Sequence, residues 1–312
     1  MRAVVTGGAG FIGSHLTERL VRDGHQVTVV DSLVHGREAN LAAAMAGGAQ
    51  LVRHPVTGPD LPGIFAQARP EVVFHLAAQI DVRVSVADPV LDASSNVVGT
   101  AAVLEAARRA GARKVVLASS VAIYGPPDTL PVTERTPERP LSPYAVSKLA
   151  AEMYLRQYQQ LHDLAGTALV LTNTYGPRQD PGGEAGVIAI FAAGMLAGRP
   201  TRVFGDGGNV RDYLYVDDAV EAFVRAADPA ADGLRINVGT GRAVTDLELH
   251  RGMARLAGHP GPPGPEPEFA PARLGDLPAM VVDATRAAEV LGWKPAVELD
   301  EGLARTLNSL RG

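Results

Sequence analysis

Thr6-Gly7-Gly8-Ala9-Gly10-Phe11-Ile12-Gly13 is the stretch of sequence that decides how the first half of this chain folds. The apolar run Ala3-Val4-Val5 before it predicts a strand, and the residues after it have helical periodicity. A glycine trio in a strand-to-helix turn is typical of a dinucleotide site. The backbone of Gly7 and Gly10 can approach a pyrophosphate at the helix N-terminus, and Gly13 lets the helix lie close to the sheet. We therefore expect a dinucleotide cofactor at this turn.

Asp31 identifies the cofactor more closely, because it ends the next predicted strand about 20 residues after the turn. A carboxylate there accepts hydrogen bonds from the adenosine ribose and repels a 2′-phosphate, so NAD is favoured over NADP. Another predicted strand ends in two small residues, where the backbone can lie close to the cofactor. The expected contacts at that strand end are Leu76, Ala77, Ala78 and Gln79.

Strand-like apolar runs alternate with helical patterns through the first half of the chain, which is typical of a parallel sheet with helices on both faces. The later predicted strands are 26–31, 50–53, 72–76, 114–119 and 168–173, and the predicted helices are 11–23, 96–110, 142–162 and 187–197. We predict an α/β fold, in which residues 1–173 and 208–238 form an NAD-binding Rossmann domain with a doubly wound parallel sheet. Residues 174–207 and 239–312 are predicted to form a smaller α/β C-terminal substrate lobe.

The run Tyr144-Ala145-Val146-Ser147-Lys148 places a phenol and an ammonium one helical turn apart on the same face. A tyrosine that must lose its proton near neutral pH starts from a pKa of about 10, and a neighbouring lysine cation lowers that pKa. Together with the glycine turn, the pair indicates nicotinamide redox chemistry with Tyr144 as the acid/base. Ser120 ends a predicted strand at the edge where doubly wound sheets bind ligands, so its hydroxyl is a candidate partner for a reacting hydroxyl.

Composition excludes several other classes of function. The net charge of −5 gives no basic surplus, so we expect no nucleic-acid partner. The chain has no cysteine, which excludes disulfides and thiolate metal sites, and we predict no metal site. No apolar run approaches the roughly 20 residues that cross a bilayer, and the chain opens directly into a strand without a signal peptide. A cytoplasmic location is therefore expected.

These motifs resemble those of the extended short-chain dehydrogenases/reductases, the NAD-dependent epimerase/dehydratase family. Within that family the chain is similar to the UDP-glucose 4-epimerases (UDP-galactose 4-epimerases) over nearly its whole length. Further matching motifs, more telling because they carry nucleotide-sugar binding, are 173–179, 210–213, 237–241 and 272–276.

The resemblance implies a mechanism for the Ser120, Tyr144 and Lys148 set. Tyr144 takes the proton of the sugar 4-hydroxyl while hydride passes from C4 to tightly bound NAD. Ser120 orients or relays that proton, and Lys148 holds the nicotinamide ribose. The 4-keto sugar then turns over and takes the hydride back on its other face, which interconverts UDP-galactose and UDP-glucose.

The resemblance also implies the remaining site residues. Further cofactor contacts are Phe11, Ile12, Ser32, Asn96 and Ser119. The UDP-sugar is expected to meet Asn173, Arg211 and Arg273 at the diphosphate and sugar, Ile188 and Phe204 at the uracil, and Met280 near the sugar. Planar, permanently charged arginine side chains suit phosphate oxygens.

Related reactions on nucleotide sugars need extra acid/base groups. Sugar-nucleotide 4,6-dehydratases and UDP-glucuronate decarboxylases carry acidic residues just after the catalytic serine or threonine. This chain has Val121 and Ala122 there, and neither side chain transfers protons. A non-catalytic NAD or nucleotide-sugar binding protein is another alternative, which the presence of Tyr144 and Lys148 disfavours. A net dehydrogenase stays open, because residue types alone do not exclude it.

The identity of the sugar is a separate question. UDP-glucuronate 4-epimerase is the alternative within the same reaction, but Asp180 stands where a uronate carboxylate would be bound and would repel it. Met280 occupies the position at which a bulky tyrosine restricts some epimerases to unacetylated sugars. Methionine is slimmer and more adaptable, so we expect tolerance of UDP-N-acetylhexosamines.

A homodimer is expected because the helices predicted at 96–110 and 142–162 often pair with their copies in related enzymes. Small and apolar residues compatible with such an interface are Ala101, Leu104, Ala107, Ala150 and Leu155. These side chains could equally face the chain's own sheet, and the sequence leaves both alternatives open.

Overall fold

The computed structural model describes residues 1–182, 186–258, 266–272 and 277–311. Its strands are β1 Arg2–Thr6, β2 Gln26–Asp31, β3 Gln50–Arg53, β4 Val72–His75, β5 Lys114–Ser120, β6 Ala165–Leu171, β7 Asn173–Tyr175, β8 Arg202–Phe204, β9 Val210–Arg211, β10 Tyr213–Tyr215, β11 Arg235–Val238, β12 Val244–Thr245, β13 Glu268–Ala270 and β14 Ala279–Met280. Its α-helices are α1 Phe11–Arg22, α2 Ala42–Ala46, α3 Leu61–Ala68, α4 Val82–Ala87, α5 Pro89–Ala93, α6 Gly99–Arg109, α7 Pro143–His162, α8 Val187–Leu196, α9 Val216–Arg225, α10 Asp246–Leu256, α11 Thr285–Leu291 and α12 Leu299–Arg311.

Seven parallel strands of the described residues form the central sheet, in the order β11-β6-β5-β4-β1-β2-β3. The chain runs outward from β1 to β3, returns to β4 on the other side of β1, and continues outward to β6 and β11. This reversal between β1 and β4 is the topological switch point of a doubly wound sheet, where ligands bind beyond the carboxyl ends of the strands. The predicted Rossmann fold is confirmed.

Both faces of the sheet are buried, because successive side chains of each strand enter different cores. Val5 belongs to a core that includes Leu16 of α1 and Phe223 of α9. Val4 belongs to a second core on the opposite face, with Val103 of α6 and residues of α3 and α7. Strands buried on both sides need continuous apolar runs, which is the pattern that the sequence showed.

In the second half of the chain, the residues that the structure describes add three small sheets beside the central one. β7 pairs with β10, β8 pairs with β13, and β9 lies between β12 and β14. The helices α8, α10 and α12 contact one another in this region. β9 lies within residues 208–238, which were predicted to belong to the cofactor domain, yet its partner strands lie in the predicted substrate segment. The boundaries of the two lobes stay a prediction.

Two predicted elements are divided in the structure. The strand predicted at 168–173 is confirmed as far as Leu171, but its predicted end is wrong: β6 ends at Leu171, and Asn173 begins β7. The backbone N–H of Thr172 still bonds Val238 in the central sheet, whereas the N–H of Asn173 bonds Asp212 outside it. The helix predicted from residue 96 is preceded by α5 and a π-helical turn, Ser94–Val98, before α6 begins.

The apolar residues proposed for a dimer interface face inward for the most part. Leu104, Ala107 and Leu155 are buried in the core of α3, α6 and α7, so they cover the chain's own sheet. Ala101 and Ala150 are half-buried. No helix in the described parts of the chain combines the length and the apolar character that crossing a bilayer requires.

Gly13 is expected to be essential for the fit of α1 against the glycine turn. A Cβ at this position would lie 2.2 Å from the carbonyl oxygen of Gly7, a backbone atom that cannot rotate away. We expect Gly13→Ala to lower the free energy of unfolding by about 3 kcal/mol, measured by urea denaturation. The control is Gly63→Ala in α3, where a Cβ meets nothing within 4 Å. This variant should be neutral or more stable by up to about 1 kcal/mol, and equal effects of the two substitutions would contradict the prediction.

Candidate active site

The turn between β1 and α1 forms a cradle lined by backbone. Gly7 has φ +71°, and a Cβ there would lie 2.6 Å from the backbone nitrogen of Ala77 at the end of β4. Gly10 precedes α1 in an extended conformation, and no side chain caps the helix. Phe11 and Ile12 are half-buried in the first turn. An uncapped helix N-terminus at the switch point of the sheet fits the pyrophosphate of a dinucleotide.

Asp31 is held at the end of β2 by the same turn. One carboxylate oxygen accepts a hydrogen bond from the Ala9 backbone at 2.9 Å, and the other accepts from the Leu33 backbone at 2.8 Å. Both oxygens retain lone pairs for a ribose hydroxyl. Ser32 is exposed beside it. The structure therefore brings the glycine turn and the predicted ribose-binding carboxylate together.

The residues after β4 are held in place by an amide pair. The Gln79 backbone donates to Asn96 Oδ1 at 2.7 Å, and Asn96 Nδ2 donates back to the Gln79 carbonyl at 2.9 Å. Asn96 Nδ2 also lies 3.0 Å from Ser147 Oγ on α7. Leu76, Ala77 and Ala78 remain half-buried at the strand end. Asn96 thus supports the cofactor side of the cleft from within the protein, and its own contact with a cofactor stays a prediction.

Ser120, Tyr144 and Lys148 meet where β5 ends beside the first turns of α7. Ser142 caps α7 by accepting a hydrogen bond from the Ala145 backbone at 3.2 Å. The Ser120 side chain lies close enough to the Tyr144 phenol to favour its ionised form, which lowers its pKa. Lys148 Nζ donates to the Ala118 carbonyl at 3.1 Å and lies 5.8 Å from the centre of the Tyr144 ring. A hydroxyl, a phenol and an ammonium group therefore lie together at this end of the sheet.

The pKa of Tyr144 corrects one prediction. Burial raises this pKa above its ordinary value, the Ser120 side chain opposes the rise, and the Asp92 carboxylate adds to it. Burial also lowers the pKa of Lys148 to about 8, against the opposing effect of Asp92 and Glu152. The lysine was expected to make Tyr144 more acidic, but the loss of solvent on burial is the largest effect and the pKa stands above its ordinary value.

Two buried carboxylates near this pair were not predicted. Asp92 on α5 is 1% exposed and accepts hydrogen bonds from Gln79 Nε2 at 2.9 Å and from Asn96 Nδ2 at 3.0 Å. Glu152 on α7 accepts from the Ser119 hydroxyl at the end of β5. A lone acidic residue in a helical segment resembles a solvated surface charge. The available signal was helical spacing, since Glu152 lies four residues after Lys148 and shares its face.

His75 is a buried neutral histidine at the end of β4. Thr100 donates its hydroxyl proton to the Asn96 carbonyl, so His75 Nε2 donates to Thr100 Oγ1 at 3.0 Å, and Nδ1 accepts from Thr6 Oγ1 at 2.7 Å. Burial, with the Lys148 cation as a smaller cause, lowers the pKa of His75 to about 3. The ring therefore links β1, β4 and the helix behind them without carrying charge.

The predicted substrate residues Arg211 and Met280 are neighbours in the structure. They are cross-strand partners in the parallel pair of β9 and β14. Met280 is 4% exposed and lies in a core cluster with Ile123 and Tyr124, which follow Ser120 in the chain. Arg211 is half-buried. Arg273 lies outside the described residues.

The other predicted substrate residues are distributed around the same half of the molecule. Asn173 is exposed at the start of β7, and Phe204 is half-buried at the end of β8. Ile188 is buried in the main core, which is not expected for a residue that contacts uracil directly.

Asp180, which was expected to repel a uronate, pairs with Arg37 at 3.0 Å. That cation offsets the carboxylate, so the predicted repulsion of a uronate is weaker than the sequence suggested.

Among the described residues, no group of three or more histidine, aspartate or glutamate side chains is placed to hold a metal ion. The functional groups are instead a hydroxyl, a phenol, an ammonium group and a cradle of backbone amides.

Similarity to known proteins extends over the whole chain. Residues 3–239 match the model of the NAD dependent epimerase/dehydratase family. The chain is 52% identical to a UDP-glucose 4-epimerase of Mycolicibacterium smegmatis, with 100% of this chain and 99% of that protein covered. Its fold is similar to that of a UDP-glucose 4-epimerase from Thermotoga maritima in complex with UDP-glucose, with a TM-score of 0.95, 41% identity and coverage of 100% and 99%. A Thermus thermophilus UDP-glucose 4-epimerase in complex with NAD gives a TM-score of 0.91, 42% identity and the same coverage.

The buried His75 should make stability depend on pH. Below pH 6.5 the unfolded chain binds a proton that folded His75 does not accept until about pH 3, so stability is lost as the pH falls. We expect this residue to contribute up to about 1.4 kcal/mol of lost unfolding free energy per pH unit between pH 6 and pH 4. Urea denaturation of the protein and of His75→Gln across this range measures the difference, because the other histidines are common to both. Identical pH dependence in the two proteins would contradict the prediction.

Proposed function

Because this chain belongs to the NAD-dependent epimerase/dehydratase family, we propose that it interconverts UDP-glucose and UDP-galactose by 4-epimerisation. The observation that carries the proposal is the convergence of Ser120, Tyr144 and Lys148 beside the glycine cradle. The similarity to UDP-glucose 4-epimerases over the full chain supports it. A purely NAD-binding or sugar-binding role would not need the phenol of Tyr144 at this place.

The residues of the cradle fit NAD. Gly7 lets the turn lie against the backbone of Ala77, and Gly13 lets α1 begin against the carbonyl of Gly7, because a Cβ at either position would collide with backbone. Gly10 leaves the N-terminus of α1 uncapped, and Asp31 offers free lone pairs to the ribose. Lys148 is proposed to hold the nicotinamide ribose, as the resemblance implies. When bound, NAD accepts hydride from C4 of the sugar and returns it, so the reaction consumes no net oxidant.

Tyr144 is proposed to remove the proton of the 4-hydroxyl, with Ser120 between the phenol and the sugar. For this step the phenol must be deprotonated, and burial opposes that by raising its pKa. Lys148 supplies the compensating positive charge, since a pKa of about 8 leaves it largely protonated at pH 7. The same phenol then returns the proton to the oxygen at C4 after the 4-keto sugar has turned over.

Arg211 and Asn173 are proposed to bind the diphosphate and sugar, and Arg273 is proposed to assist them. Met280, beside Arg211 in the sheet, is proposed to admit an N-acetyl group where a larger ring would not. Phe204 and Ile188 are proposed for the uracil side. The buried position of Ile188 means that it would support this subsite from beneath rather than line it.

A homodimer is also proposed, through the two helical segments predicted from the sequence but with other side chains than the five named there. Val98 in the π-turn and Met153 on α7 are 56% and 61% exposed, and these two elements contact each other. Val146 and Leu161 extend the exposed apolar row along α7. A symmetric pair of such faces would bury them together.

The cytoplasmic location, with which the absence of cysteine is compatible, stays a proposal as well.

The proposed activity is tested by proton NMR of the purified protein with UDP-galactose and, separately, UDP-glucose, without added NAD. We expect interconversion without accumulation of NADH, and we expect Tyr144→Phe to lower kcat by about a thousandfold, because the phenol oxygen that carries the proton is absent. The variant Tyr154→Phe, an exposed tyrosine of the same helix, is the matched control.

Other outcomes of this experiment discriminate among the alternatives. Net NADH release with an oxidised product would indicate a dehydrogenase, and turnover of UDP-glucuronate alone would indicate a uronate epimerase. Turnover of UDP-N-acetylglucosamine would support the role proposed for Met280. No reaction with any of these substrates, even with NAD added, would contradict the proposed function.

The proposed dimer is tested by light scattering after gel filtration. We expect the wild-type chain to have the mass of two chains, and Val98→Glu with Met153→Glu to shift it to one, because each introduced carboxylate would be desolvated at the interface. Met45→Glu on α2 carries the same change on an exposed side chain elsewhere and should leave the dimer intact. A dimer that persists in the double variant would place the interface on another surface.

A further inference from the structure

Glu152 is a buried carboxylate that none of the roles above uses. It lies one helical turn after Lys148 on α7 and is 3% exposed. One oxygen accepts a hydrogen bond from Ser119 Oγ, and the other accepts from Arg235 Nε at 2.6 Å. Burying a carboxylate is costly unless it is paired and hydrogen-bonded. Both hydrogen bonds therefore stabilise the Glu152 side chain in its buried position.

Two contacts, side by side, join the end of β5 to α7. Lys148 Nζ bonds the carbonyl of Ala118, and Glu152 bonds the side chain of the next residue, Ser119. Ser120 follows directly, and its side chain lies beside Tyr144 of α7. The separation between the hydroxyl of Ser120 and the phenol of Tyr144 is therefore set by how closely β5 and α7 are held together.

We propose that Glu152 is a positioning residue for the reaction. Through Ser119 it holds the end of β5 against α7, which places Ser120 beside Tyr144, and its negative charge keeps the buried Lys148 in the ammonium form. The inference rests on the function proposed above, because it assigns Glu152 a part only through the residues that act on the substrate.

The charges around Lys148 support the second half of this role. The groups that face it are Asp92 from α5, Glu152 and Tyr144 from its own helix, and the neutral His75 from β4. Burial lowers the pKa of Lys148 to about 8, and the two carboxylates oppose that decrease. With one carboxylate removed, a larger share of Lys148 would be neutral near pH 7, and a neutral amine does not stabilise a phenolate.

Arg235 holds Glu152 from the far side. Its Nε bonds Glu152 and its Nη1 bonds Glu138, so the guanidinium lies between two carboxylates at the start of β11. A purely structural ion pair would affect stability alone. A positioning role requires in addition that substitution of Glu152 changes the pKa of Lys148 and the rate of the chemical step.

The chain suits a direct measurement, because it has only three lysines: Lys114, Lys148 and Lys294. Protein containing lysine labelled with carbon-13 at Cε gives three signals, and that of Lys148 is identified by its loss in Lys148→Arg. The protein is titrated by NMR as purified, and kcat and KM for UDP-galactose are measured over the same pH range.

Two variants separate the charge of Glu152 from its hydrogen bond. Glu152→Gln can still accept from Ser119 but carries no charge, so the Lys148 midpoint should fall by about one pH unit, and the alkaline limb of kcat should move with it. Ser119→Ala keeps the charge and removes the bond. It should leave the Lys148 midpoint in place and lower kcat by about tenfold with little change in KM.

An unchanged Lys148 midpoint in Glu152→Gln would overturn the electrostatic role, and wild-type kcat in Ser119→Ala would overturn the positioning role. If Glu152→Gln does not fold, the double variant Glu152→Gln with Arg235→Gln removes both members of the buried pair and repeats the test. If the wild-type chain epimerises no sugar, the proposed function fails, while the NMR titration still decides whether Glu152 controls the charge of Lys148.

Discussion

The close approach of Gly13 to the carbonyl of Gly7 is the constraint on which the rest of the structure depends. It allows α1 to begin directly against β1, with its N-terminus at the switch point of the sheet. From that position the turn binds the carboxylate of Asp31 through the Ala9 backbone and lies against Ala77 at the end of β4. The ends of β1, β2 and β4 are thus joined at the turn, and the site for an anionic cofactor results from the same packing that closes the core.

The pKa values of the titratable groups in the cleft are displaced more by burial than by neighbouring charges. Tyr144, Lys148 and His75 each have pKa values displaced toward the neutral form, because all three lie away from water. Two buried carboxylates, Asp92 and Glu152, partly restore the cationic form of Lys148. The charge of Lys148 therefore depends on carboxylates of α5 and α7 that lie outside the proposed catalytic set.

The features that could be predicted from the sequence are those that depend on residues close to one another in the chain. β2 and β3 have the predicted bounds, because uninterrupted apolar runs followed by turn residues identify a buried strand. The Tyr144 and Lys148 pair followed from helical spacing. The division of one predicted strand after Leu171 did not, because it depends on a distant partner, Asp212. The raised pKa of Tyr144 depends on burial, and burial is a property of the assembled fold that a motif does not contain.

The π-helical turn at Ser94–Val98 changes the direction in which the side chains that follow it face around the helix axis. In a regular α-helix, residues eight positions apart differ by about 80° around the axis, so Asp92 and Thr100 would face different directions. The wider turn takes up much of that rotation, and Asp92, Asn96 and Thr100 form one buried polar stripe. The π-helical turn lies between α5 and α6, which follow one another without a break. It places the carboxylate of Asp92, near Lys148, on the same side as the Thr100 hydroxyl that bonds His75. A chain shorter by one residue here would turn one end of that stripe out of the cleft.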